Sequence, residues 1–134
     1  MRSLLTILLI SSLSPLAFAE EVIHSFHADI TVNADGSMDV IETIEVTAEG
    51  NKIKRGIFRD FPTAKFTKLG LRKLYPFQVT SVKRDNEHDG HHLETNQRTM
   101  MDITHVYIGR EHVMLPRGRY TYQLSYHTNG WLFS

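Results

Sequence analysis

The densest group of ligand-type side chains is His88-Asp89-Gly90-His91-His92, with Asp85 and Glu87 just before it. Zinc needs three or four nitrogen, sulfur or oxygen ligands converging on a tetrahedron. His88, His91 and His92 are the candidate ligands, although their spacing matches no standard zinc signature and His-rich polar loops also occur without metal. His24 and His27 differ by three, so on a strand they face opposite sides and cannot chelate together. The chain has no cysteine and no Gly-x-Ser-x-Gly elbow, so neither common nucleophile has its setting. Nothing promotes a carboxylate pair for glycoside hydrolysis, where distance rather than sequence spacing decides. The expectation is a protein that is not an enzyme and takes no cofactor.

A second constellation is charged and aromatic. Arg55-Gly56-Ile57-Phe58-Arg59-Asp60-Phe61-Pro62 puts two arginines, an aspartate and two phenylalanines into one short run. Upstream, Glu42 sits at a position whose parity otherwise belongs to apolar residues. A carboxylate facing a core must be paired or neutralised, and a guanidinium grips a carboxylate bidentately. Glu42 is therefore expected to pair with Arg59 or Arg55, tucking Gly56–Pro62 against a sheet. The alternative is a bulge or edge position that lets Glu42 reach water.

The elements that must hold these groups read as strands. Val22, Phe26, Ala28, Ile30 and Val32 share one parity, as a half-buried strand requires. Asn33-Ala34-Asp35-Gly36 is a hairpin signal, and Ser37–Ala48 returns with Met38, Val40, Ile44 and Val46 inward. Lys65–Lys73 has no clean period and reads as a loop. Phe77–Arg84 alternates; Asp85–His92 reads as a turn, and Leu93–Met101 as a weak strand. Ile103–Gly109 is a strand, Pro116-Arg117-Gly118 a turn, and Arg119–Thr128 a strand with Tyr120, Tyr122, Leu124 and Tyr126 on one face. No segment keeps helical spacing for three turns. The pattern predicts an antiparallel β-sandwich of about six to eight short strands.

Composition bounds the setting. Residues 1–19 have the form of a signal peptide: Arg2, an apolar run from Leu4, and Ala17-Phe18-Ala19 before an expected cleavage at Glu20. The rest suits one domain, exported to the periplasm or the extracellular space and free of disulfides. From Glu20 to Glu49 there are eight acidic residues and no Lys or Arg, whereas Lys52–Lys73 carries eight basic residues against Asp60 alone. This split predicts that the first hairpin and the following segment lie against each other. Lys52, Lys54, Lys65, Lys68, Arg72 and Lys73 are also candidates for contact with an anionic membrane surface. Zero formal net charge and an exported address argue against nucleic acid. The apolar ending around Trp131 and Phe133 reads as a chain that stops inside its domain, since termini are usually polar.

Several of these pieces, in this order, resemble the N-terminal domain of predicted membrane proteins grouped as domain of unknown function 2207. They are Ser25–Val32, Asp35-Gly36-Ser37-Met38-Asp39-Val40, Glu42-Thr43-Ile44, Gly56–Pro62, Tyr107-Ile108-Gly109 and Gly118-Arg119-Tyr120-Thr121-Tyr122. The resemblance implies an extracytoplasmic β-sandwich that normally continues into further strands and transmembrane helices, and it brings no catalytic residues. The expected role is interaction or structural support at the cell envelope, with a membrane surface or another envelope protein as partner. The alternatives are a small-molecule or polysaccharide binder using the Tyr122–Tyr126 face, and third a metal-dependent enzyme.

Overall fold

The computed structural model describes residues 23–97 and 100–131. The expected leader and its cleavage point, Val22, and the tail from 132 lie outside the described residues. Nine strands are present among them: β1 (Ile23–Val32), β2 (Met38–Ala48), β3 (Gly56–Phe66), β4 (Arg72–Leu74), β5 (Phe77–Arg84), β6 (Glu87–His88), β7 (His91–Gln97), β8 (Met101–Gly109) and β9 (Gly118–Thr128). They form two antiparallel sheets, one ordered β1-β2-β9-β5-β6 and one ordered β4-β3-β8-β7. The two pack as the expected β-sandwich.

The core follows from parity in the central strands. Met38, Val40, Ile44 and Val46 of β2 and Tyr122, Leu124 and Tyr126 of β9 meet Phe61 of β3, Val106 and Ile108 of β8, and Val82 of β5. Aromatic rings thicken one end: Phe61 lies 4.5 Å from Phe77, 4.8 Å from Tyr126 and 6.2 Å from Trp131, centroid to centroid. Trp131 is therefore a packing residue. Among the described residues, the buried Tyr122 hydroxyl has no hydrogen-bond partner, and burial pushes its pKa up.

Turn chemistry sets the registers. Asn33 N–H bonds the Ser37 carbonyl, Gly36 adopts φ +87°, and the Asp35 carboxylate accepts from the Ser37 amide and hydroxyl. Those two hydrogen bonds hold the Asp35 carboxyl below its usual range. The segment expected as one turn at Asp85–His92 is a tighter device. Asp85 and Asn86, at φ 50° and 69°, form the whole turn between β5 and β6, the paired positive φ values that a two-residue hairpin demands.

Three expectations are corrected. Gly56–Pro62 lies against the first sheet as expected, but it is not a separate segment tucked there: it is the first part of β3, an inner strand of the second sheet. Pro62, which has no N–H to give, sits where the β3–β8 register shifts between Pro62 and Ala64. Lys65–Lys73 is not one loop either: β3 runs on to Phe66, and β4 pairs back on Ala64–Phe66. The third concerns β1. Phe26, Ala28, Ile30 and Val32 lie opposite Ile44, Glu42, Val40 and Met38, so they face the inner side as their parity predicts. Yet Phe26, Ile30 and Val32 are 51%, 57% and 56% exposed. The second sheet covers β2 and β9 and leaves most of β1 bare.

Candidate functional site

Glu42 occupies the centre of the inner face of β2, and its side chain is 4% exposed. The alternation of β3 turns Arg59 inward to meet it. Arg59 Nε donates to Glu42 Oε1 at 2.7 Å and Nη2 to Oε2 at 2.8 Å, while the Tyr126 hydroxyl donates to Oε2 at 2.8 Å. The fork is the planar two-point grip that only arginine offers. The guanidinium lies between two rings, 5.2 Å from Phe26 and 5.1 Å from Phe61. Its bonds to Glu42 raise the Arg59 pKa against the opposing effect of burial, and burial together with the Glu42 bond raises that of Tyr126. One group from β2, one from β3 and one from β9 thus join both sheets. Both Glu42 oxygens thus accept hydrogen bonds from groups that pack the two sheets together. Arg55, the other candidate for Glu42, instead lies at the mouth of a cavity at the start of β3.

The remaining charge pattern is less tidy than the sequence implies. Glu45 and Glu49 are met by Arg119 and Arg117, at 3.2 and 3.7 Å, from β9 and the turn before it. From the Lys52–Lys73 stretch, Arg59 reaches the acidic hairpin at Glu42. Nor do the basic residues make one anionic-surface patch. Lys52 and Lys54 precede β3 whereas Lys65, Lys68, Arg72 and Lys73 stand at its far end. An eleven-residue strand separates them, roughly 35 Å at the usual rise per residue. At that end Arg72 bonds the buried Asp102, and Lys73 lies 5.4 Å over the Tyr75 ring.

The histidines do not converge. His88 ends β6, while His91 and His92 are neighbours on β7 and so point to opposite faces. The His92 ring is stacked on Tyr107 at 4.7 Å. Among the described residues, no three His, Asp or Glu side chains are grouped to hold a metal ion. Asp89 serves other ends: its Oδ1 accepts from the Gly90 amide, and Arg84 and Arg110 lie at 3.8 and 3.9 Å. His24 and His27 bond Thr47 and Asp29. The tyrosine face considered for ligand binding is closed, since Tyr122 and Tyr126 are both buried.

What sequence reasoning missed is the apolar side left open at β1. Between β1 and the start of β3 lies a groove of about 340 Å³, lined by Ile23, Phe26, Ile44, Val46, Ile53 and Ile57 among others. Parity shows which residues share a face and not whether a second sheet covers them, so no local signal marks this groove.

Comparison with known proteins places the chain. Residues 22–134 match the family described as predicted membrane protein (DUF2207) N-terminal domain. The uncharacterized protein YciQ of Escherichia coli (strain K12) is 30% identical over 107 residues, which are 80% of this chain and 16% of that relative. The chain thus spans about one-sixth of the curated relative it matches. No solved structure matches it. The chain belongs to the family of predicted membrane proteins grouped as domain of unknown function 2207, as an example of that family's N-terminal domain.

Proposed function

We propose that this domain is a non-enzymatic interaction module on the outer side of a cell membrane, and that it docks through β1. The observation that carries this reading is the bare inner face of that strand. β1 is ten residues long and stands at the edge of its sheet. It presents Phe26, Ile30 and Val32 to solvent, and among the described strands only β2 pairs with it. Natural proteins usually blunt such an edge with charge, proline or a covering element, and a bare one is a template for strand addition. The partner that fits is an extended segment of another envelope protein, apolar on alternate residues, which pairs with β1 and lays its side chains over the groove. The structural roles of Glu42, Asp89 and Asp102 support a non-enzymatic reading, and the leader-like first nineteen residues support export.

Val32→Lys and Ile30→Lys test this in cells. Both positions are exposed, so the fold should survive, which circular dichroism of the purified variants checks. Cell fractionation should find the unmodified chain with the envelope and both variants in the soluble extracytoplasmic fraction. Variants that stay with the envelope, or a chain retained in the cytoplasm, would count against the proposal.

A further inference from the structure

The outer face of the β4-β3-β8-β7 sheet carries a feature that folding does not require. Phe58 of β3 lies opposite Tyr107 of β8, which lies opposite His92 of β7. Each points outward, because its strand neighbours Ile57, Arg59, Val106 and Ile108 turn toward the core. The three rings form a row across the sheet, Phe58 to Tyr107 at 6.0 Å and Tyr107 to His92 at 4.7 Å. Phe58 is 62% exposed. The next row is polar, Asp60, His105 and Glu94: Asp60 accepts from His105 Nδ1 at 2.5 Å, and Asn96, two residues on from Glu94, lies 2.9 Å from His105 Nε2. On the other side of the rings the chain places cations, Lys54 and Arg55 ahead of β3 and Arg110 after β8. A cleft of about 370 Å³ unites them, with Lys54, Arg55, Phe58, His92, Tyr107 and Arg110 in its lining. That volume lies within the ~300–1,000 Å³ of small-ligand clefts. Glu111 is the one acidic residue in the lining, and Arg110 also lies 3.9 Å from Asp89.

We infer that this cleft binds an acidic polysaccharide, a chain of pyranose rings carrying carboxylates. Phe58, tilted 41° from Tyr107 and well exposed, can accept the C–H face of a sugar, whose apolar hydrogens meet the negative π-face. The adjacent Asp60–His105–Glu94 row, with Asn96 beside it, offers acceptors and donors to ring hydroxyls. Guanidinium and ammonium groups on the far side select the carboxylate through charge-assisted hydrogen bonds. A lipid surface would call for protruding aliphatic side chains among the cations, and here the cations border aromatic rings. The cleft adjoins the β1 groove at the start of β3, where both are lined by Gly56, Ile57 and Phe58, whereas His92, Tyr107 and Arg110 line the cleft and not the groove.

The test is calorimetry on the purified chain with tetragalacturonate, neutral cellotetraose, and phosphatidylglycerol vesicles. Tetragalacturonate should bind. Cellotetraose should bind at least about tenfold more weakly, as loss of charged hydrogen bonds implies. Phe58→Ala should cost about tenfold, the order expected for one stacking platform, with an unchanged melting temperature. Arg110→Gln should weaken binding and reduce its salt dependence. No binding of tetragalacturonate, or binding that Phe58→Ala leaves intact, would overturn the assignment. So would vesicle binding that needs Lys54 and Arg110 and ignores Phe58, which would make the cleft a membrane contact.

Discussion

Arg59→Met is expected to destabilise the domain by about 3–5 kcal/mol, the usual result of stripping one partner from a buried pair. Glu42 would keep only the Tyr126 hydroxyl, and its carboxylate would remain between the two sheets. Arg59 is itself 31% exposed, so water can partly replace it and the lower end of that range is expected. The double variant Glu42→Leu with Arg59→Met should recover part of that loss, to within about 1–3 kcal/mol of the unmodified chain, because apolar groups of similar volume often replace a buried pair while the Tyr126 hydroxyl is left without its acceptor. Urea unfolding of the two single variants and the double variant measures the coupling. A cost below about 1 kcal/mol for Arg59→Met would mean that the pair behaves as an exposed surface bridge.

The other large effect is expected at the glycine pair that closes the β3–β8 ladder. Gly56 and Gly109 lie opposite one another, with φ of +157° and +137°. A Cβ on Gly109 would stand 2.1 Å from the Arg55 carbonyl oxygen, and one on Gly56 would stand 1.7 Å from that of Ile108. Both obstacles are backbone, so the strands would have to part. Gly109→Ala is expected to cost more than about 3 kcal/mol, combining backbone strain with a lost ladder end. Gly50→Ala separates the two contributions. Gly50 has φ +83° and nothing within 4 Å of an added Cβ, so it should show only the conformational part, about 1 kcal/mol. Equal thermal shifts for the two variants would refute the close-approach argument.

These two sites also show what a sequence can disclose. Glu42 was legible because β2 is covered along its inner face, so one carboxylate among apolar residues of the same parity had to be answered. The partner could be narrowed to two arginines and no further, since whether Arg55 or Arg59 turns inward depends on where β3 begins. β1 and β2 have the same alternation, yet one is buried and the other bare. Coverage is a property of the opposite sheet and leaves no mark on the strand itself. The histidine cluster misled for a geometric reason, as alternation sends neighbours to opposite faces. The basic stretch misled because an extended strand carries its two ends far apart. The Phe58–Tyr107–His92 row was out of reach, because it joins residues that only the β3–β8–β7 register brings together.

The claim at the centre of this account is that the bare face of β1 is a docking surface in the cell. The most direct test places a photo-crosslinking amino acid at Ile30, and separately at Ile41, in the chain expressed from Met1 to Ser134. Both are exposed aliphatic positions of the same sheet, but Ile30 faces the groove side and Ile41 the opposite side. The account predicts a discrete crosslinked species of higher mass from Ile30 and none from Ile41. Equal crosslinking from both positions, or none from Ile30, would contradict it.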